Sequence, residues 1–368
     1  MQITAAVLRS RAGPFQLEAV EIEAPRAGEV LVRVVATGVC HTDMVMRDQD
    51  LPTPQPVVLG HEGAGIVERV GAGVTKVAAG DHVVMTFNSC GVCPSCADHA
   101  PTYCHEFFPR NFMGARPDGS SGLSKGGEAI HANIFGQSSF ATYALCHERN
   151  AVKVPKTAPL EVLGPLGCGV MTGAGAVMNT LQAKAGRSLV VFGAGAVGLS
   201  AVLAARAEGL SPIVVVDINP ARLDLALSLG ADHALDGRSE PVVERVRDIT
   251  GAGADYTLDT TANLAVMRQA VDCLAPRGTC GLVGASKMGD ELKLDAVALM
   301  SGGRTVRGVV EGDADPDIFI PRLIELYQAG RFPFDRLIAF YPFEQLNEAV
   351  ADGEAGRAIK PVVRMALS

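Results

Sequence analysis

Four cysteines fall within a short segment that lacks the apolar periodicity of a helix or a strand. They follow the spacing C-x2-C-x2-C-x7-C, at Cys90, Cys93, Cys96 and Cys104. Four thiolates this close in sequence can converge on one tetrahedral ion, which is the usual arrangement of a structural zinc site. The segment is rich in Gly, Pro, Ser and Asp, so bound metal would supply the order that packing cannot. We therefore predict a structural zinc lobe over residues 88–105.

Three other interpretations of these cysteines are a redox C-x-x-C pair, a disulfide cluster and incidental core cysteines. A redox motif needs only two cysteines. A chain of 368 residues with 48% hydrophobic residues can build a core without disulfides. Zinc is therefore the favoured interpretation. The remaining unassigned cysteines have no motif around them and are expected in the core: Cys146, Cys273 and Cys280.

The charge and hydropathy of the chain exclude several classes of partner. The formal net charge is −8 and no long basic run occurs, which argues against nucleic acid and anionic membranes. No uninterrupted apolar stretch is long enough for a membrane span, and the first residues lack the apolar core of a secretory signal. The cysteine pattern is not that of a small secreted scaffold, so a cytoplasmic location is expected.

The two halves of the chain differ in their sequence pattern. Up to about residue 168, short alternating strands such as 30–37 are separated by Gly/Pro turns. Beyond about residue 172, apolar strands (189–192, 213–217) alternate with helices, which indicates a parallel sheet. One such helix is expected to be capped by Asn263 and to stop at Pro276. We predict an α/β protein with a β-rich domain over 1–169, a doubly wound domain over 170–310, and a return of 311–368 to the first domain.

A glycine-rich turn follows the strand LVVF and opens a helix, with Gly193, Gly195 and Gly198 in the pattern G-x-G-x-x-G. In this context the pattern predicts a Rossmann dinucleotide site, whose helix N-terminus receives the pyrophosphate. Asp217 ends the next strand, at the offset of a carboxylate that binds ribose hydroxyls. That carboxylate would repel the extra phosphate of NADP, so NAD is expected. Arg222 is either a second ribose contact or a solvated side chain.

Three further metal-ligand candidates stand in glycine-flanked contexts, namely Cys40 in GVCHTD, His61 in LGHEGAG and Cys168 in GPLGCGVMTG. Two cysteines and one histidine with an open fourth position are the arrangement of a catalytic zinc. The three are scattered over more than a hundred residues, so their spacing alone does not establish a site.

These motifs resemble, in order and over essentially the full length, the zinc-dependent medium-chain alcohol dehydrogenases. The matching segments are GVCHTD, GHEGAGIVERVG, GDHV, the four-cysteine lobe, GPLGCGVMTGAG and VVFGAGAVGL. Other segments, such as SFATYA, resemble the aryl (benzyl) alcohol dehydrogenase branch, and geraniol-type enzymes share much of them. The resemblance implies a GroES-like catalytic domain beside the Rossmann domain. It also implies reversible oxidation of a primary alcohol with NAD+, two zinc ions per chain, and a homodimer or homotetramer.

The same resemblance implies a set of metal-site residues. Cys40, His61 and Cys168 match the catalytic zinc ligands, and the four lobe cysteines match the structural ones. Glu62 matches an acidic residue that lies behind the catalytic zinc. Asp43 matches a carboxylate that orients the histidine ligand, as metal-bound imidazoles usually need.

Further matches concern the cofactor and the substrate proton. Thr42 matches a hydroxyl group that passes the substrate proton into a relay. His41 matches a position near the cofactor pyrophosphate, and Thr172 one near the nicotinamide. Many relatives carry a relay histidine where this chain has Val45. The proton is then expected to leave through the ribose hydroxyls or through another base.

Several other functions are compatible with parts of this pattern. An NAD-binding sensor without catalysis would use the same scaffold but would lack a catalytic ligand. A zinc ribbon that binds nucleic acid is disfavoured by the acidic charge. Among enzymes, a geraniol or perillyl alcohol dehydrogenase, a polyol dehydrogenase and a glutathione-adduct dehydrogenase remain alternatives. An aryl alcohol is the expected substrate, on the resemblance alone.

Overall fold

The computed structural model describes residues 1–366. Their strands form three sheets. In chain order the strands are β1 (Gln2–Leu8), β2 (Phe15–Ile22), β3 (Glu29–Gly38), β4 (Val57–Val58), β5 (Glu62–Val70), β6 (His82–Met85), β7 (Leu123–Lys125), β8 (Glu128–Ile130), β9 (Tyr143–His147), β10 (Ala151–Val154), β11 (Leu189–Phe192), β12 (Ile213–Asp217), β13 (His233–Asp236), β14 (Ala254–Asp259), β15 (Leu274–Leu282), β16 (Thr305–Gly308), β17 (Ile338–Pro342) and β18 (Lys360–Arg364).

Most of the longer helices follow the parallel strands of the second half. In chain order the helices are α1 (His41–Arg47), α2 (Pro94–Ala97), α3 (Phe107–Phe112), α4 (Leu160–Leu163), α5 (Gly169–Gly175), α6 (Ala196–Ala207), α7 (Pro220–Ser228), α8 (Val242–Thr250), α9 (Leu264–Asp272), α10 (Ala296–Gly302), α11 (Pro316–Gln328) and α12 (Leu346–Glu354). The chain divides into two compact units. One comprises Met1–Cys168, Asp315–Glu325 and the residues from Asp335 onward, and the other comprises Gly169–Ala314 and Leu326–Phe334.

The first unit contains two mainly antiparallel sheets. One has the strand order β4-β1-β2-β7-β8, and the other has the order β10-β6-β5-β3-β18-β17, with β9 also paired to β3. The central strand β3 is paired along both edges, and its Val30, Leu31 and Val32 are fully buried. Through β18, residues late in the chain pair with β3. This pairing brings distant sequence to the segment that precedes α1.

The second unit contains one parallel sheet with the order β13-β12-β11-β14-β15-β16. This is the 3-2-1-4-5-6 order of a Rossmann fold. All four residues of β11 and all five of β12 are buried, as expected for strands covered on both faces. The α/β fold class and the parallel sheet predicted from the sequence are confirmed. The exact domain boundaries predicted from the sequence stay a prediction.

One helix boundary was predicted wrongly. Asn263 caps α9 as expected, accepting hydrogen bonds from the N–H groups of Ala265 and Val266. The helix ends at Asp272, however, and Pro276 lies inside β15. The pairing of β15 with β14 shifts register at this point, and Arg277 has a φ of +66°. Proline is tolerated in strands at such bulges, so here it marks a bulge and not a helix stop.

No single helix among residues 1–366 has both the length and the apolar composition to cross a membrane. One bent pair of segments, Leu160–Gly167 with Gly169–Thr180, passes that test by length and composition only. Nearly all of its residues are buried within the protein.

Candidate metal centres and cofactor site

Three distant segments of the first unit bring together the residues predicted to form the catalytic zinc site. Cys40 immediately precedes α1, His61 immediately precedes β5, and Cys168 follows the tight turn Gly164–Gly167. The ligand atoms of these three residues and of Glu62 all lie within 4.8 Å of one another. A sequence separation of more than a hundred residues therefore closes into one cluster that could hold an ion.

The imidazole of His61 is held in one orientation. Its Nδ1 lies 2.9 Å from Oδ1 of Asp43, and both side chains are fully buried. The same carboxylate accepts hydrogen bonds from the backbone N–H groups of Gly60 (3.0 Å) and Cys40 (3.0 Å). The opposite ring atom, Nε2, is buried and has no hydrogen-bond partner in the part of the chain that the structure describes. An orphaned buried nitrogen beside two cysteine sulfurs is the arrangement that a metal ion would satisfy.

Behind this cluster lies a buried ion pair that the sequence did not suggest. Nζ of Lys360 lies 2.9 Å from each carboxylate oxygen of Glu62 and also donates to the carbonyl of Val39 (3.2 Å). Burial lowers the pKa of Lys360, but the Glu62 carboxylate outweighs it and raises the pKa above its usual value. The lysine is therefore a fixed positive charge. No local motif marks it, because it lies 298 residues after Glu62.

The four lobe cysteines also converge. The sulfurs of Cys90, Cys93, Cys96 and Cys104 lie within 4.8 Å of one another. Backbone N–H groups point at them, for example from Cys90 to Cys104 Sγ (3.1 Å) and from Cys93 to Cys90 Sγ (3.3 Å). The backbone N–H of His105 lowers the pKa of Cys93 to about 6, whereas burial raises that of Cys104 to about 12. Four cysteine sulfurs at this separation could hold one cation between them.

In the glycine-rich turn of the second unit, a side chain would clash at Gly198 but would meet open space at Gly195. A Cβ on Gly198 would lie 1.8 Å from the carbonyl oxygen of Gly193, so glycine is required for the helix to pack against the strand. A Cβ on Gly195 would meet nothing within 4 Å. Gly195 also caps α6. The open space at this helix N-terminus is where a pyrophosphate would approach the backbone.

Asp217 ends β12 and faces the same turn. Its carboxylate accepts hydrogen bonds from the backbone N–H groups of Ala194 (2.6 Å), Ile218 (2.7 Å) and Asn219 (2.8 Å). A carboxylate offers about four acceptor positions, so one remains for a ribose hydroxyl. Arg222 stands half-buried in the first turn of α7, with its Nε buried and unpaired among the described residues.

The remaining predicted residues have the following positions. Thr42 is half-buried and His41 exposed in the first turn of α1, and Val45 lies one turn later. Thr172 is buried in α5 of the second unit, where its hydroxyl lies 3.4 Å from the carboxylate of Glu311. Cys146, Cys273 and Cys280 are buried outside both metal clusters, as expected.

Comparison with protein families and relatives agrees with this geometry. Residues 26–156 match the alcohol dehydrogenase GroES-like domain, and residues 196–328 match the zinc-binding dehydrogenase family. The chain is 50% identical over 361 residues to geraniol dehydrogenase from Castellaniella defragrans, covering 98% of this chain and 96% of the relative. It is a zinc-type medium-chain alcohol dehydrogenase.

Solved structures support the same family assignment for this dehydrogenase. An alcohol dehydrogenase zinc-binding domain protein from Burkholderia ambifaria is 55% identical, with a TM-score of 0.99 and complete coverage of both chains. Benzyl alcohol dehydrogenase from Acinetobacter calcoaceticus is 47% identical, with a TM-score of 0.97 and complete coverage of both chains. The zinc-dependent alcohol dehydrogenase family uses NAD(P), and both the two donor sets and the open glycine turn of this dehydrogenase fit these groups. The individual roles of the site residues stay predictions.

A metal analysis of the purified dehydrogenase tests both clusters. We expect about two zinc ions per chain, and about one in Cys168→Ala, because one of three catalytic ligands is lost. Cys104→Ser should lose the other ion and melt at a markedly lower temperature, since structural zinc contributes directly to folding.

Cys146→Ala is the matched control, because this buried cysteine lies outside both clusters. It should keep two zinc ions, measured by plasma emission spectrometry. Retention of both ions by Cys168→Ala would remove that residue from the ligand set.

Proposed function

We propose that this dehydrogenase oxidises an aryl primary alcohol of the benzyl type to the aldehyde with NAD+, reversibly. The observation that carries the proposal is the convergence of Cys40, His61 and Cys168, with one imidazole nitrogen that has no hydrogen-bond partner among residues 1–366. The substrate class is supported by the likeness to benzyl alcohol dehydrogenase. Geraniol dehydrogenase is a similarly close relative, so an allylic monoterpene alcohol such as geraniol or perillyl alcohol is the second candidate.

Zinc bound at this cluster would lower the pKa of an alcohol, and NAD+ would accept the hydride from its carbon. The chain supplies the positioning. Asp43 holds the His61 ring so that Nε2 faces the cysteine sulfurs. Lys360 offsets the charge of Glu62, so this carboxylate adds little net negative charge beside the thiolates. A cluster with less negative charge leaves a cation more able to attract an alcohol oxygen.

The substrate proton needs an exit from the site. Thr42 lies half-buried in the first turn of α1, two residues after Cys40, and its hydroxyl can both accept and donate a proton. Val45 cannot extend a relay, because it has no titratable atom. We therefore propose that the proton passes from Thr42 to the ribose hydroxyls of the cofactor and then to water.

A rate comparison tests the proposed substrate class. Zinc-loaded enzyme is assayed by NADH absorbance with benzyl alcohol, geraniol, ethanol and a polyol, each with NAD+ and with NADP+. We expect the highest kcat/KM for benzyl alcohol with NAD+. A preference for geraniol would favour the allylic alternative. No turnover with any alcohol, at full zinc content, would instead favour an NAD-binding sensor.

The carboxylate of Asp217 is the proposed basis of the preference for NAD. The repulsion between two like charges about 4 Å apart is roughly 1 kcal/mol in bulk water and roughly 4 kcal/mol near a protein surface. Asp217→Ser should therefore raise the ratio of NADPH to NADH affinity about tenfold or more, measured by calorimetric titration. Asp236→Ser, at the end of the neighbouring strand β13, is the control and should leave the ratio unchanged. An unchanged ratio in Asp217→Ser would show that this carboxylate does not face the ribose.

We also propose that the enzyme is a homo-oligomer whose chains meet at the outer edge of the parallel sheet. Within residues 1–366, β16 is paired along one side only, with β15. Such an edge favours pairing with another chain. Three side chains in the preceding segment are largely exposed, Met288 (94%), Val297 (66%) and Met300 (75%). The cytoplasmic location stays a prediction.

Charges at this edge should separate the chains. We expect the double variant Val297→Glu, Met300→Glu to lower the mass measured by light scattering to that of a smaller assembly or a monomer. Ile318→Glu, at an equally exposed apolar position on α11, is the control and should keep the wild-type mass. An unchanged mass in the double variant would place the interface elsewhere.

A further inference from the structure

Five of the thirteen phenylalanines form a continuous series of ring contacts that begins at the metal cluster. The ring of Phe135 stacks on that of His61, with centroids 4.4 Å apart and an interplanar angle of 23°. Phe112 meets Phe135 edge-on at 5.1 Å, and Phe108 lies 5.2 Å from Phe112. We call this set the phenylalanine ladder, and its members are Phe87, Phe107, Phe108, Phe112 and Phe135.

The inner end of the ladder is held in a demanding conformation. Phe135 has a φ of +49°, in the left-handed region that a bulky residue rarely adopts unless its surroundings impose it. Asn150 donates a side-chain hydrogen bond to the carbonyl of Phe135 (3.1 Å). Ser138 accepts one from the N–H of Ile134 (3.0 Å) and donates one to the carbonyl of Val58 (2.7 Å). The stacking of Phe135 on His61 is therefore built into the fold.

The outer end of the ladder reaches solvent. Phe107, Phe108 and Phe112 all lie on the short helix α3, and the last two stand four residues apart, on the same face. Phe112 is half-buried and Phe108 is 47% exposed, as is the adjacent Met113. The core phenylalanines of the same unit differ, since Phe140 is fully buried. The ladder thus links an exposed ring, Phe108, to a predicted zinc ligand through continuous ring contacts, and its inner member Phe135 is buried.

We propose that the phenylalanine ladder is the specificity surface of the enzyme, and that Phe112 receives the flat conjugated group of the alcohol. This inference rests on the proposed function. Aromatic rings attract one another in the edge-on and offset geometries already present within the ladder. A benzyl alcohol with its hydroxyl at the metal cluster extends its ring toward Phe112, two ring contacts from His61. A short saturated alcohol at the same cluster has no ring to extend toward Phe112.

The test uses full-length, zinc-loaded enzyme and the variant Phe112→Leu, which keeps an apolar side chain but removes the ring. We expect kcat/KM for benzyl alcohol to fall about tenfold, a typical loss for one apolar contact in a specificity pocket, and kcat/KM for ethanol to stay within about twofold. Phe112→Tyr, which keeps the ring, should preserve the preference for benzyl alcohol. The matched control is Phe340→Leu, at a ring outside the ladder that packs under Arg364.

A binding measurement separates this inference from the proposed function. Benzamide and acetamide, neither of which is an alcohol, are titrated into the zinc-loaded enzyme by calorimetry. Phe112→Leu should weaken benzamide about tenfold and leave acetamide unchanged. Equal losses for the aromatic and the small ligand, or none, would overturn the role of the ladder even if the wild type oxidises benzyl alcohol. Wild-type enzyme that oxidises no alcohol would contradict the proposed function, while selective benzamide loss would still support the ladder.

Discussion

The buried carboxylate of Asp43 is the contact on which the candidate metal centre depends. It joins the backbone before α1, the backbone at Gly60 and the ring of His61 through three hydrogen bonds. A fully buried charge is costly unless donors surround it, so these segments stabilise the carboxylate as much as the carboxylate fixes them. Cys40 and His61 are thereby positioned by one group before any ion binds. Asp43 does not position Cys168. That residue is placed by the tight turn Gly164–Gly167, which it directly follows.

The pair of Glu62 and Lys360 imposes a second electrostatic constraint. Both side chains are buried, and removal of either partner would leave an uncompensated charge beside two cysteines. The pair also crowds its neighbour, because a Cβ at position 38 would fall 2.0 Å from the Glu62 carboxylate. Glycine at the end of β3 is therefore required by this ion pair. Substitution of Gly38, Glu62 or Lys360 is therefore expected to disturb the other two.

The sequence predicted the fold well where the signal is local. Strands β11 and β12 are continuous apolar runs because both of their faces are covered, and Asn263 caps a helix as expected. Prediction failed at Pro276, where a bulge tolerates a residue that ordinarily ends a helix. Lys360 and the stacking of Phe135 on His61 escaped prediction because the partners are far apart in sequence. Periodicity reports which residues are buried, but it does not report which buried residues meet.

The pairing of β18 with β3 has a consequence for biosynthesis. The ribosome adds Lys360 298 residues after Glu62, so a first unit that folded during translation would hold this acid without its counterion. During that interval the acid is expected to take up a proton or to stay in contact with water. The centre can then mature only once the late strand has docked. The fraction of newly made chain that can bind metal at this centre would then depend on correct docking of β18. It would not depend on collapse of the early sheets.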